Sequence, residues 1–227
     1  MGSTATLTDS YKRPVTLVSA RTILIFLRQL PIYFKFPKLF FLDFFLSYYF
    51  LFFYTDKAYF QEQIKTDLPQ PDLTYGELPY DAFSQVLRHI RISPKSVFVD
   101  LGSGKGKLAF YMHLRYQIRA IGIEVIPTFV KACRAVVTHY NLKKISFIQN
   151  NYLTMNLQKG TLFFVSTTCL SNDSYRTLIS RLTQLRVKSI VISTSQPLDH
   201  PDFKLAKTVP VTFSWGKGTV YIQKKIR

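Results

Sequence analysis

The sequence predicts an α/β protein with a Rossmann-like, mostly parallel sheet, a C-terminal β-hairpin and a hydrophobic helical N-terminal segment. From residue 80 onward, short apolar runs alternate with amphipathic stretches, as in a parallel sheet with helices on both faces. A glycine-rich loop follows the first apolar run, and a glycine turn separates the last two. Hydrophobic residues make up 47% of the 227 residues, which is enough for a packed core and excludes wholesale disorder.

Composition and charge divide the chain near residue 70. Residues 1–70 carry 8 Lys and Arg against 5 Asp and Glu, whereas residues 71–227 carry 22 against 8. We therefore predict a hydrophobic, aromatic-rich helical segment over 1–70 and a larger, basic domain over 71–227. The net charge of +17 favours a polyanion, an anionic membrane or an acidic protein surface as a partner. The two cysteines and four scattered histidines lack metal-ligand spacing, so we expect no metal site.

The N-terminal segment contains two apolar stretches. The first, 15–30, predicts a helix that ends at Pro31, and the second, 39–54, has ten aromatic residues among sixteen. As a helix the second would be about 24 Å long, shorter than the ~30 Å hydrocarbon layer of a membrane. Two interpretations remain open: a helix pair that caps the following domain and helps to form its substrate groove, or a helix pair lying on an anionic membrane surface. In the second case four cations would lie near lipid: Arg21, Arg28, Lys35 and Lys38.

The elements of the second part follow in order from residue 80. The predicted helices cover 80–90, 108–115, a stretch beginning at Pro127, and 175–185. The predicted strands cover 96–100, 120–124, 146–149, 162–165 and 189–193, and the final hairpin pairs 211–215 with 219–224.

The glycine loop is the most informative local motif. It reads Asp-x-Gly-x-Gly-x-Gly, with Asp100 followed by Gly102, Gly104 and Gly106, which let the backbone turn sharply and approach a ligand. Glu124 ends the next strand about 20 residues later, where a carboxylate can accept both ribose hydroxyls of an adenosine ligand. Asp100 disfavours a pyrophosphate and suits a ligand with positive charge. S-adenosylmethionine, which carries a sulfonium and an ammonium, fits this loop as the cofactor.

Over roughly residues 75–227 the sequence resembles the class I (seven-strand) methyltransferases, and within them the non-SET histone lysine methyltransferases of the telomeric-silencing type. The loop Thr74-Tyr75-Gly76-Glu77 and the run Val97-Phe98-Val99-Asp100-Leu101-Gly102-Ser103-Gly104 are similar to that family's motifs. Phe163-Phe164-Val165-Ser166 and Ser214-Trp215-Gly216-Lys217 with Tyr221 lie where the family has its fourth strand and its terminal hairpin.

This resemblance implies methylation of an accessible lysine of a protein substrate by S-adenosylmethionine. It implies catalytic roles for Tyr75, Ser166, Trp215 and Tyr221, and cofactor contacts from Tyr75, Glu77, Asn151 and Tyr152 beside the loop residues and Glu124. Ser166 stands where the family has Asn, and Asn151 where it has an acidic residue. The hydrophobic segment in front is also similar to membrane-associated methyltransferases that modify lysines of the ATP synthase c subunit.

Two other functions stay open. The basic charge is compatible with a nucleic-acid (RNA) methyltransferase, but enzymes that methylate exocyclic base amines carry an (Asp/Asn/Ser)-Pro-Pro-aromatic motif where this chain has Ser166-Thr167-Thr168-Cys169. Nucleic acid is therefore not the favoured partner. The replacement of the family's Asn by Ser166 also suggests a second hypothesis, that the protein is a non-catalytic membrane adaptor that retains the cofactor-binding fold. We expect a cytoplasmic location, with peripheral attachment to a membrane as the open alternative.

Overall fold

The structure, a computed structural model, describes residues 20–53, 62–63, 65–66, 68–74 and 76–227. The helices that position the site are α1 Ala20–Lys35, α2 Pro37–Phe53, α3 Tyr80–Leu87, α4 Lys107–Tyr116, α5 Pro127–His139 and α6 Asn172–Leu182. The strands are β1 Val97–Leu101, β2 Arg119–Glu124, β3 Ile145–Gln149, β4 Leu162–Val165, β5 Ile190–Thr194, β6 Phe203–Thr212 and β7 Lys217–Lys225.

The seven strands form one sheet in the order β3-β2-β1-β4-β5-β7-β6. The first five pair in parallel, and the terminal hairpin adds β7 antiparallel to β5 with β6 at the edge. Buried side chains of α3, α4 and α5 fill one face of the sheet, and those of α6 fill the other. This confirms the predicted α/β class, the mostly parallel sheet and the C-terminal hairpin.

Two predicted boundaries are wrong. Helix α1 runs through Pro31 to Lys35, because the proline lies on the exposed side and removes a single backbone donor; beyond the helix end the Phe36 N–H still donates to the Ile32 carbonyl at 2.8 Å. Strand β6 begins at Phe203, well before the predicted 211. Its residues 204–208 are all exposed. This part of the edge strand therefore lacks the alternation of apolar and polar residues by which a half-buried strand is recognised in a sequence.

The N-terminal helix pair packs on the domain through one face. Leu39, Leu42 and Leu46 of α2 are buried in the same core cluster as α3, α4 and α5. The described part of the helix pair therefore covers this side of the domain. The side chain of Arg28 pairs with Asp81 of α3. Residues 1–19 and 54–61, with the expected ends of both apolar stretches, lie outside the described part.

A polar cluster inside this contact joins the helix pair to α3 and α4. The Asp43 carboxylate accepts hydrogen bonds from the hydroxyls of Tyr33 at 2.6 Å and Tyr80 at 2.8 Å, and lies 3.5 Å from Lys107 Nζ. Burial, and then the charge of Asp43, raises the pKa of both tyrosines. Burial lowers the pKa of Lys107, but the charges of Asp43 and Glu77 outweigh it and raise it above the ordinary value. The amine therefore stays charged inside the contact.

The helix pair also exposes a set of large apolar side chains, which we call the aromatic face. Phe34 is 84% exposed, and the exposed lysines Lys35 and Lys38 flank it. No helix among the described residues is both long and apolar enough to cross a bilayer. The aromatic face consists of Ile23, Leu24, Phe26, Leu27, Phe34, Phe40, Phe41, Phe44 and Tyr48.

We expect Asp43→Asn to lower the free energy of unfolding by about 1–3 kcal/mol, because an amide cannot replace a charged acceptor shared by two hydroxyls and an amine. Urea denaturation measures the change. Asp199→Asn, at an exposed carboxylate, is the matched control and should change the free energy by less than about 0.5 kcal/mol. Equal stability of the two variants would contradict a structural role for the cluster.

Candidate active site

A cavity of about 250 Å³ opens at the carboxyl ends of β1, β2 and β4. Ligands of open α/β sheets bind at this edge, because the loops that follow parallel strands converge there. The lining residues that the sequence predicts are Glu77, Asp100, Gly102, Gly104, Glu124, Asn151, Tyr152, Ser166 and Trp215. The structure therefore brings most of the predicted cofactor and acceptor residues to one cavity.

Glu124, at the end of β2, holds the glycine loop in place. One carboxylate oxygen accepts the Gly104 N–H at 2.8 Å, and the other accepts the Ile126 N–H at 2.9 Å. Burial raises the pKa of Glu124, and these backbone donors partly oppose the rise. Each oxygen keeps a second lone pair, so the carboxylate can also accept ligand hydroxyls.

Asp100 lies beside Glu124 and is 2% exposed. Burial, and then the charge of Glu124, raises the pKa of Asp100 to about 8. Two buried acids that border one cavity favour a positively charged ligand, since a cation relieves their mutual repulsion. The hydroxyl of Ser103, also in the lining, is buried and has no hydrogen-bond partner in the described part of the chain.

The three loop glycines serve two purposes. All three have positive φ, between 50° and 77°. Gly102 and Gly104 line the cavity, whereas Gly106 does not. A Cβ on Gly106 would meet the ring of Phe147 at 2.6 Å and Cys133 Sγ at 2.9 Å. This corrects the expected cofactor contact of Gly106: it fits the loop against α5 and β3 and leads into α4.

Asn151 and Tyr152 lie on the loop after β3. The Asn151 side-chain oxygen accepts the Leu153 N–H at 2.9 Å, which leaves its NH₂ group to donate to a ligand. The Tyr152 ring lies over the glycine loop, 3.7 Å from where a Cβ on Gly102 would be. Burial, and then the charges of Asp72 and Glu124, raises the pKa of Tyr152, so its hydroxyl remains protonated.

The far end of the cavity is an aromatic wall built from two distant parts of the chain. The Phe213 and Trp215 rings stack with centroids 4.5 Å apart, and the indole covers Gly76, where a Cβ would lie 2.4 Å from it. Two hydrogen bonds fix the contact: the Glu77 N–H donates to Ser214 Oγ at 3.1 Å, and the Ser214 N–H donates to the Glu77 carbonyl at 3.0 Å. Trp215 remains 40% exposed at the cavity mouth.

Ser166 belongs to a group of hydroxyls after β4 and β5. Its Oγ lies 3.2 Å from Thr194 Oγ1, and Thr168 Oγ1 lies 3.0 Å from the same atom. Ser166, Thr168 and Thr194 all line the cavity. The structure thus supplies several short hydroxyls near the place where the resembling family has a single Asn.

Sequence reasoning missed Lys107. Its amine donates to Glu77 at 3.0 Å and lines the cavity next to that carboxylate. Glu77 therefore faces the cavity already paired with a cation. Lys107 directly follows the last loop glycine, and a lysine at a helix start gives no signal that distinguishes a buried amine from a solvated one.

Besides Gly106, the described residue Tyr221 was predicted at the site and does not line the cavity. Tyr221 pairs with Ser193 across β7 and β5, on the sheet face opposite to the one filled by Val220, Ile222 and Phe213. This corrects the expected place of Tyr221 in the wall, because side chains alternate along a strand. Tyr75 lies outside the described residues.

Comparison with known families and curated proteins adds to this geometry. A family model described as "Histone methylation protein DOT1" matches residues 62–209. A histone-lysine N-methyltransferase, H3 lysine-79 specific, of Cryptococcus neoformans is 26% identical over 99 residues, which cover 44% of this chain and 15% of that protein. The protein of the same description from Drosophila melanogaster is 27% identical over 134 residues, 52% of this chain and 7% of that one. The chain thus spans only a small part of these relatives' length.

Solved structures share the fold. An RNA methyltransferase from Salinibacter ruber in complex with S-adenosyl-L-homocysteine superposes with a TM-score of 0.57 at 22% identity, covering 66% of this chain and 94% of that one. TrmN from Thermus thermophilus gives a TM-score of 0.55 at 13% identity, covering 74% and 52%. These similarities show a methyltransferase-type α/β fold.

Proposed function

The chain belongs to the histone methylation protein DOT1 family, and from this membership we propose that it transfers a methyl group from S-adenosylmethionine to a lysine of a protein substrate. The observation that carries the proposal is that the two-acid glycine loop and the aromatic wall border the same cavity. A cofactor region and an acceptor region therefore adjoin.

The residues present fit S-adenosylmethionine, which supplies an electrophilic methyl group on a sulfonium. Glu124 and the Gly102–Gly104 backbone would hold its ribose and close the loop around it, and Asn151 and Tyr152 would bind the adenine. Asp100 would balance its positive charge. Glu77 shares the Lys107 amine with Asp43, so this group keeps one net negative charge and adds to the preference of the two buried acids for a cationic ligand.

The acceptor lysine must lose its proton before it can act as a nucleophile. Its ordinary pKa is about 10.4, and an apolar aromatic channel lowers it by disfavouring the charged amine. Phe213 and Trp215 would supply this desolvation, and their ring faces would hold the methylated ammonium by cation–π attraction. The hydroxyls of Ser166 and Thr168 would orient the acceptor group.

We also propose that the protein is cytoplasmic and attaches peripherally to an anionic membrane through the aromatic face. Phe40 of this face contacts the ring of its neighbour Phe41 at 5.7 Å and that of the buried Tyr33 of α1 at 5.6 Å. Contiguous exposed apolar surface of this kind marks a docking site, and exposed lysines beside it favour anionic lipid.

Transfer of tritiated methyl from S-adenosylmethionine to purified histone H3, nucleosomes or cell lysate tests the enzyme. We expect label that protease removes and nuclease does not. Trp215→Ala should lower transfer about 3- to 30-fold, because one cation–π face is lost, with unchanged cofactor affinity. Trp215→Phe should restore most activity, and Tyr221→Phe, on the other sheet face, should have no effect. Nuclease-sensitive label would instead indicate an RNA acceptor, and cofactor binding without any transfer a non-catalytic adaptor.

We expect affinity for S-adenosylmethionine to rise with pH between 6 and 7.5, by up to about tenfold per unit. The reason is that Asp100, with its pKa of about 8, is mostly protonated in this range, whereas a bound cation favours its ionised form. Calorimetry in buffers of different ionisation enthalpy should show proton release on binding. Asp100→Asn should remove the pH dependence and Asp173→Asn, at an exposed acid, should keep it. Proton uptake by the unmodified protein would contradict this assignment.

Flotation with vesicles of phosphatidylcholine and phosphatidylserine tests the aromatic face. The unmodified chain should float, and the triple variant Phe34→Ser, Phe41→Ser, Phe44→Ser should stay in the dense fraction, because the apolar surface that enters the lipid is lost. The matched control replaces three exposed apolar residues elsewhere: Val187→Ser, Leu205→Ser and Ile226→Ser. The membrane proposal fails if the two triple variants float equally.

A further inference from the structure

The edge of the sheet opposite the cavity is strongly basic. It is formed by the amino ends of the five parallel strands together with the start of β6 and the end of β7. We call it the basic edge and infer that it binds the phosphate backbone of a nucleic-acid duplex, as a docking partner and not as a methyl acceptor. Its exposed cations are Arg88, Arg91, Lys95, Arg119, Lys143, Lys144, Lys159, Arg186, Lys188, Lys204, Lys224 and Arg227.

Strand pairing brings these cations together from distant parts of the chain. Arg119 pairs with Val97 at the start of β1, and the Ala120 N–H donates to the Lys144 carbonyl at 2.9 Å. At the other end of the sheet, the Lys188 N–H donates to the Lys225 carbonyl at 2.8 Å, and Lys225 pairs with Phe203. The cations therefore follow one continuous edge across all seven strands.

Almost no acidic group opposes this charge. In the segments that form the basic edge (88–97, 117–119, 141–145, 157–161, 183–190, 202–204 and 224–227) the one carboxylate side chain is that of Asp202. It already pairs with the buried amine of Lys225 at 2.5 Å. None of the twelve exposed cations forms an ion pair with a described residue. Asp100 and Glu124 lie at the other edge, so the domain is electrically polarised along its strands.

The shape and chemistry of the edge favour a duplex. At about 4.8 Å per strand, seven strands span about 29 Å, and a duplex carries one negative charge per ~1.7 Å of its axis. The segments contain no exposed Phe, Tyr or Trp on which the bases of a single strand could stack, and His89 is their one exposed imidazole. Their large exposed apolar residues are Val187 and Ile226, whereas the aromatic face lies on α1 and α2. Contact through phosphates alone implies binding without base preference.

Fluorescence anisotropy of a labelled 24-base-pair DNA duplex of random sequence, titrated with the full chain between 50 and 200 mM salt, tests the inference. A plot of log affinity against log salt should have a slope of about −4 or steeper, which corresponds to roughly five phosphate contacts. Lys143→Glu with Lys144→Glu should lower affinity at least tenfold at 100 mM salt and reduce the slope by about 2. Arg186→Glu with Lys188→Glu, about 19 Å away across four strand spacings, should do the same.

The matched control is Lys131→Glu with Arg176→Glu, two exposed cations in the first half of α5 and of α6, away from the basic edge. It makes the same change of net charge and should lower affinity less than threefold. Equal losses in all three double variants would overturn the inference, since net charge alone would then explain binding. Absence of duplex binding would also overturn the inference. The same holds if the basic edge is required for binding phosphatidylserine vesicles while the duplex does not bind. Cofactor affinity, measured in parallel, keeps this result separate from the proposed enzymatic function.

Discussion

The hydrogen bond from the Gly104 N–H to Glu124 is the contact on which the site depends. It ties the loop after β1 to the end of β2, and so sets the distance between the two acids of the cavity. The same carboxylate also accepts the Ile126 N–H just before α5. One buried charge thus fixes a loop and the approach to a helix, and it retains lone pairs for a ligand. The cost of burying Glu124 is offset by backbone donors that would otherwise lack partners.

A second carboxylate, that of Asp43, joins separate elements where the N-terminal helices contact the domain. Asp43 comes from a helix that is apolar on every side, yet it points inward to two tyrosine hydroxyls and Lys107. Lys107 in turn holds Glu77, which is hydrogen-bonded through its backbone to the terminal hairpin. A chain of polar contacts therefore runs from the N-terminal helices to the aromatic wall. The cap and the acceptor end of the cavity are mechanically connected.

Much of the fold could be predicted because the informative signals were local. The alternation of apolar runs and amphipathic stretches predicted the sheet. Asp100, the loop glycines and Glu124 predicted the position of the cavity. The rest depended on pairing between distant segments. Tyr221 looked like a partner of Trp215, but the register of β7 against β5 turns it to the other face. Lys107 resembled a solvated lysine, because its burial is created by a helix more than fifty residues earlier in the sequence.

The contact between Gly76 and Trp215 has a consequence for how the protein matures. The indole is positioned by residues 76–77 at the entry to the domain and by the turn between its last two strands, β6 and β7. β7 is also the strand that separates β5 from β6, so the sheet is completed by an element that is synthesised after the glycine loop and Glu124. A nascent chain that has already made the glycine loop and Glu124 still lacks half of its aromatic wall. The glycine loop and the aromatic wall of the cavity are therefore completed at different moments of synthesis.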